Sequence, residues 1–86
     1  MPVIALFFGI RISMYWNDHD PPHFHAQYGE HTATVDVEKG QIMAGYLPRR
    51  QLRVVLAWTE LRRDQLMQDW ELARDGRPLL SIEGLQ

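Results

Sequence analysis

The sequence predicts an α+β protein in which an antiparallel sheet of four to five strands packs on one long C-terminal helix. Two observations predict it: apolar residues alternate with polar ones in the first half, and they recur every three or four residues in the second. With 86 residues the chain is expected to form a single domain, 1–86. We divide it into a mainly β part at 1–47, a helix at 48–75 and a tail at 76–86.

Strict alternation of apolar and polar side chains predicts the strands, because successive residues of a strand point to opposite faces of its sheet. Residues 17–22, which include the pair Pro21-Pro22, have the composition of a turn. This turn separates the strand before it from the strand that begins at His23. Lys39-Gly40 is expected to form a hairpin turn. The predicted strands lie at 10–16, 23–28, 32–37 and about 41–44, with a further apolar run at 3–8.

Helical spacing predicts one long helix after the strands. Pro48 suits the first helical turn, whereas Gly76 and Pro78 follow the expected end of the helix. The residues that form its apolar stripe are Leu52, Val55, Leu56, Thr59, Leu66, Trp70 and Ala73.

The composition excludes several classes of function. Nine Lys and Arg against eleven Asp and Glu give a net charge of −2 and a pI near 6.0, which argues against bulk electrostatic binding of nucleic acid or of an anionic membrane but leaves room for a local basic patch. Without cysteine, the chain has no disulfide, no thiolate zinc site and no cysteine nucleophile.

No membrane association is expected from the sequence. Its apolar run near the start is interrupted by Arg11, far short of the roughly 20 residues that span a bilayer. A basic leader and a small-residue cleavage site are also missing, so we expect a cytoplasmic protein.

All four histidines lie between His19 and His31, and they are the strongest chemical signal. Alternation along the predicted strand places His23 and His25 on the same face. Such a pair can act as general acid and base near neutral pH, which makes His23 and His25 candidate catalytic residues. Alternatively, the pair lies on a solvated face or hydrogen-bonds across strands to Thr32, Thr34 or Asp36.

A divalent metal ion is the candidate cofactor, although the sequence establishes none. Neutral imidazoles and a carboxylate are suitable ligands, and the candidates are His19, His23, His25 and Asp18, with Asp20 as an alternative to Asp18.

Three arginines crowd the predicted start of the helix, where cations oppose the helix dipole. Arg49, Arg50 and Arg53 are therefore candidate anion-binding residues, which would suit phosphodiester chemistry if they faced the histidine pair. The alternative is that they form surface ion pairs with Asp36, Glu38 or Glu60.

The chain resembles the bacterial domain-of-unknown-function family 4160. The resemblance is carried by Phe8-Gly9-Ile10, by Asp18-His19, by the block Pro21-Pro22-His23-Phe24-His25-Ala26 and by Gly45-Tyr46-Leu47-Pro48-Arg49-Arg50. It implies a small, stand-alone bacterial protein, commonly encoded beside a second small protein of family 2442 in an arrangement similar to toxin–antitoxin pairs. The resemblance assigns no activity and no catalytic residue to this chain.

Three functions follow as hypotheses. The first is a component of a toxin–antitoxin-like two-protein module with a histidine-rich surface site and a small co-encoded partner. The second is a metal-independent ribonuclease-type toxin that uses His23 and His25, with RNA as its substrate. The third is a divalent-metal-binding protein. The sequence leaves open whether the protein is an enzyme and whether it forms a homodimer.

Overall fold

The computed structural model describes residues 2–85 and contains an antiparallel meander of five strands that lie in chain order. The strands are β1 (Val3–Phe7), β2 (Ile10–Ser13), β3 (His23–Tyr28), β4 (His31–Asp36) and β5 (Gln41–Gly45). Two helices follow, α1 (Arg49–Leu61) and α2 (Arg63–Arg74). The predicted α+β class and antiparallel sheet are confirmed. Met1 and Gln86, which the predicted domain includes, lie outside the described residues.

The two ends of the sheet carry different connections, because successive connections of an antiparallel meander lie alternately at one end and at the other. One end carries the turns Phe8-Gly9 and Gly29-Glu30 together with the close of β5, and we call it the hairpin end. The other carries the long connection 14–22 and the turn 37–40, and we call it the histidine end.

The core lies between one face of the sheet and the two helices. Phe24 and Val35, which pair across β3 and β4, are fully buried on this face. Trp58 of α1 packs against Phe24, with ring centroids 5.7 Å apart, and it is itself fully buried. Burying each large side chain contributes roughly 1.5–3 kcal/mol. Alternation along β3 therefore assigns Phe24 to the core and His25 to the other face.

The chain leaves the sheet at Gly45, where only glycine fits. Gly45 has φ +80°, and a Cβ atom there would collide with the carbonyl oxygen of Thr32 on the neighbouring strand. The next amide, that of Tyr46, donates a hydrogen bond of 3.0 Å to the same carbonyl. This tight exit starts α1 at the hairpin end of the sheet.

The prediction of one long helix at 48–75 is wrong, since the chain forms two helices that break at Arg62. Arg62 has φ −108° and ψ 16°, outside the α-helical range. Its Nε donates a 3.0 Å hydrogen bond to the carbonyl of Glu83, which also accepts one of 2.8 Å from Trp58 Nε1. The break thus coincides with a contact to the C-terminal tail, which helical spacing does not reveal.

The two edges of the sheet differ. The tail covers the β1 edge, where the amide of Ile82 donates a 2.7 Å hydrogen bond to the carbonyl of Ile4. At the other edge, β5 is exposed along its whole length, and Met43 is an extra residue in its pairing with β4. Neither helix of the described chain is long and apolar enough to cross a membrane.

Candidate metal centre

Three side chains converge at the histidine end of the sheet: those of Asp18, His23 and His25. Asp18 lies in the connection between β2 and β3, whereas the histidines are the first and third residues of β3. Nε2 of His23 lies 2.9 Å from Oδ2 of Asp18, and Nε2 of His25 lies 3.9 Å from the same oxygen. One ligand atom from each residue fits within 4.8 Å of the other two, so together they could hold one metal ion.

The second nitrogen of each imidazole also has a neighbour, and this orients both rings. Nδ1 of His23 lies 2.7 Å from the carbonyl oxygen of Pro21. Nδ1 of His25 lies 3.4 Å from Oγ1 of Thr34, which the register of β3 and β4 places directly opposite. With both Nδ1 atoms turned to oxygen, both Nε2 atoms face Asp18.

Aromatic rings line the group on two sides. The ring of Tyr15 meets that of His25 edge-on, with centroids 4.7 Å apart. Trp70 of α2 lies beside His23 at 5.1 Å and is almost fully buried. These rings restrict water without closing the site, because all three candidate ligands remain partly exposed.

The backbone and the histidines hold the Asp18 carboxylate in its charged form. Burial by itself raises the pKa of Asp18, but the amide of His19, which donates a 2.8 Å hydrogen bond to Oδ1, and the imidazoles of His23 and His25 outweigh it. The net effect holds the pKa of Asp18 below its ordinary value. The carboxylate is therefore available as an anionic ligand at neutral pH.

His25 is held neutral. Burial lowers the pKa of His25 most, and the neighbouring His23 lowers it further, against the opposing effect of Asp18. Its Nε2 atom is buried and has no hydrogen-bond partner among the described residues. A buried polar atom without a partner is uncommon in native proteins, so this nitrogen is available to a ligand.

The structure brings together three of the four residues in the sequence-predicted metal set. The side chain of His19 is outside the group, and this residue contributes through its backbone amide instead. Asp20, the alternative to Asp18, lies 4.0 Å from Arg74. His31 is at the hairpin end, where its ring lies against that of Tyr46.

The predicted anion-binding residues do not face the histidines. Arg49, Arg50 and Arg53 belong to the first turns of α1, which begins at the hairpin end. Within residues 2–85 none of the three forms an ion pair, so the expected pairs with Asp36, Glu38 or Glu60 do not form either. Glu60, near the end of α1, instead binds Arg63, the first residue of α2.

Two groups at the site carried little signal in the sequence. Helical spacing assigns Trp70 to the core, and its burial confirms this. Its contact with His23 depends on the position of α2 relative to the sheet, which spacing does not reveal. The carbonyl oxygen of Pro21 is backbone, which residue types do not reveal. Thr34, by contrast, is one of the cross-strand partners that alternation suggests for the histidines.

Fold and site together define a small α+β protein with a partly exposed group of two histidines and one aspartate. The chain belongs to the family described as Domain of unknown function (DUF4160), which matches residues 9–71 and therefore includes all three residues of the group. No curated protein and no solved structure matches the chain significantly.

Proposed function

We propose that this protein binds a divalent transition-metal ion through Nε2 of His23, Nε2 of His25 and the carboxylate of Asp18. The observation that carries the proposal is the convergence of these three ligand atoms within 4.8 Å. Two zinc ligands, each about 2.1 Å from a tetrahedral ion, lie about 3.4 Å apart. The separations of 2.9 and 3.9 Å from Asp18 lie on either side of that value, so small side-chain movements would suffice.

The neighbours of the two Nδ1 atoms support the same proposal. A histidine that ligates through Nε2 carries its proton on Nδ1 and donates it to a second acceptor. Both histidines have such an acceptor: the carbonyl of Pro21 for His23, and Oγ1 of Thr34 for His25. A bound cation would also provide Nε2 of His25 with the partner that it lacks.

The ligand set indicates which ions would bind and that the bound ion would keep an open position. Two histidines and one carboxylate suit Zn²⁺, Fe²⁺ or Mn²⁺, and three protein ligands leave at least one position for water or a substrate. Structural zinc sites use four protein ligands, so the partly exposed group fits a reactive or exchangeable ion better than a structural one.

Isothermal titration with Zn²⁺, Mn²⁺, Ni²⁺ and Co²⁺, and anaerobically with Fe²⁺, tests the proposal. We expect one ion per chain, and His25→Gln and Asp18→Asn should each weaken binding by more than about 100-fold, since even outer-shell losses cost 10–100-fold. His19→Ala and His31→Ala are the matched controls, because each removes a histidine from outside the group. Melting curves confirm that each variant is folded.

Two results would overturn it. One is a folded wild-type protein that binds none of these ions at micromolar concentration. The other is an equal loss of affinity in His25→Gln and in His31→Ala, which would indicate binding by scattered surface histidines.

We propose, as the cellular context of this site, that the protein is one component of a toxin–antitoxin-like two-protein module in the bacterial cytoplasm. Its support is the resemblance to a family whose members are commonly encoded beside a second small protein. Expression without that neighbour, with growth and RNA integrity followed for wild type and Asp18→Asn, tests this role. Arrest that the neighbour relieves would support it, whereas normal growth and no binding of the neighbour would count against it.

A metal-independent ribonuclease that uses His23 and His25 has weaker support. Its transition state requires a cation to stabilise the phosphorane, but Arg49, Arg50 and Arg53 lie at the other end of the sheet. The nearest charge to the imidazoles is instead the carboxylate of Asp18, which repels phosphate. RNA cleavage that persists in a chelator and is lost in His23→Ala would favour this alternative over the metal-dependent one.

A further inference from the structure

A cavity of about 470 Å³ lies at the hairpin end, between the β1–β2 turn and the first turns of α1. It is lined by Phe8, Ile10, Arg50, Gln51 and Val54. Its walls combine one aromatic ring, one guanidinium group, one carboxamide and two aliphatic side chains. None of these residues belongs to the proposed metal site, which lies at the opposite end of the sheet.

Phe8 is in an unusual position for an aromatic residue. Its φ is +50°, in the left-handed region, and it is followed by Gly9 at +75°. Turns with two positive φ values favour Asn or Asp at the first of these positions, and a bulky residue there is strained. The ring is nevertheless 59% exposed, so burial of its surface does not explain why the strain is tolerated. Strain at an exposed residue is a reason to look for a ligand.

The charge around this cavity is positive, although the whole chain carries −2. Arg49, Arg50 and Arg53 are exposed and form no ion pair within residues 2–85, and the first turn of α1 contains no acidic residue. Two turns of the sheet lie at this end, Phe8-Gly9 and Gly29-Glu30, and of their residues Glu30 alone is acidic. By contrast, Arg62, Arg63 and Arg74 each lie within 4.0 Å of a carboxylate.

We propose that this cavity binds a base of a single-stranded nucleic acid. The exposed ring of Phe8 would stack on the base, and the guanidinium of Arg50 would add a cation to the same site. Gln51 offers one donor and one acceptor group to the polar edge of a base, while Ile10 and Val54 form an apolar floor. Arg49 and Arg53, exposed on the same helix turns, supply charge for the adjoining phosphates.

A stacked aromatic distinguishes this site from a general anion-binding surface. An acidic protein segment would use the arginines but not the ring, whereas a base requires both.

Fluorescence anisotropy with labelled 12-nucleotide RNA and DNA strands of the same mixed sequence tests the proposal. Phe8→Asn is the decisive variant, because asparagine tolerates the left-handed backbone and leaves every positive charge in place. It should weaken binding about tenfold or more, the usual effect of losing one stacked base. Arg50→Gln should weaken binding and make it less dependent on salt.

The matched control is Arg77→Gln, which removes the same charge from an exposed residue beyond α2, away from the cavity. Unchanged affinity in this control, together with losses in Phe8→Asn and Arg50→Gln, supports the proposal, and the RNA and DNA arms show which strand is preferred. Equal losses in Arg77→Gln and Arg50→Gln would overturn it, as would full affinity in folded Phe8→Asn. Displacement by polyglutamate with no effect of Phe8→Asn would assign the surface to an acidic protein partner instead.

Discussion

Nε2 of His25 lies 3.9 Å from Oδ2 of Asp18, and this buried nitrogen has no hydrogen-bond partner within residues 2–85. The distance is too long for a hydrogen bond but short enough for both atoms to contact one cation. Because burial and His23 lower the pKa of His25, its imidazole is neutral at neutral pH, and a proton on Nδ1, beside Oγ1 of Thr34, would leave the lone pair at Nε2. A neutral imidazole facing a carboxylate is the arrangement from which we propose a shared metal ion.

Thr34→Val should weaken metal binding about tenfold while leaving the fold intact. The valine has a similar shape but cannot accept the proton from Nδ1 of His25, so the ring loses the group that orients it. Thr32→Val is the matched control, since it lies two residues away on the same strand and pairs with Gln27 instead. Titration calorimetry measures both. Equal affinities in the two variants would show that the 3.4 Å contact does not orient the imidazole.

Asp69→Asn should remove part of the pH dependence of stability. Burial raises the pKa of Asp69, and the hydrogen bond from the amide of Leu80 only partly opposes this. A raised pKa means that the folded state binds the proton more tightly. The free energy of unfolding should therefore fall as pH rises above the ordinary value of 3.8 and through the raised pKa.

Urea unfolding between pH 3.5 and 8 checks this sign. We expect Asp69→Asn to lack the fall and to exceed wild type in stability at pH 7, because its amide oxygen still accepts from Leu80. Glu71→Gln, an exposed substitution on the same helix, should follow the wild-type curve. A variant of Asp69 that is less stable than wild type at pH 7 would mean that the carboxylate is stabilised by a partner.

Gly45→Ala should be strongly destabilising. A Cβ atom at this position collides with the carbonyl of Thr32, and φ of +80° adds the strain of a left-handed alanine, about 1–2 kcal/mol. Gly29→Ala has φ +59° but open space around its Cβ, so it should show only that second cost. Thermal unfolding compares the two, and similar melting temperatures would show that the sheet shifts to accept the methyl group.

Phe8→Asn should stabilise the fold by about 1 kcal/mol, since asparagine at a left-handed position avoids most of the strain that the phenyl-bearing residue carries. Phe8 packs edge-on against Phe7 at 6.2 Å, and the loss of this exposed contact partly offsets the gain. Phe8→Leu is the comparison, because leucine, like phenylalanine, is apolar and lacks the tolerance of asparagine for a left-handed backbone. Chemical denaturation measures both, and an Asn variant less stable than the Leu variant would contradict the argument.

Local patterns were sufficient for the sheet and for two of the three residues of the site. Alternation places His23 and His25 two residues apart on one strand, so their side chains share a face whatever the rest of the chain does. It likewise assigns Phe24 to the core, where it is fully buried. These features depend on the geometry of a few consecutive residues, which the sequence contains in full.

The third residue of the group was not decided by any pattern, because Asp18, His19 and Asp20 are neighbours in a connection without regular geometry. The path of that connection turns Asp18 toward the strand and leaves His19 to contribute its amide.

The sequence by itself therefore determined that the first half forms strands, which face of them is buried and that the two histidines share a face. Each of these follows from a period of two along the backbone. Only the tertiary structure decided where the helix breaks, because the tail carbonyl that Arg62 binds is 21 residues away. It also placed the histidines and Arg50 at opposite ends of the molecule, since the direction in which α1 leaves the sheet depends on the packing of the whole chain.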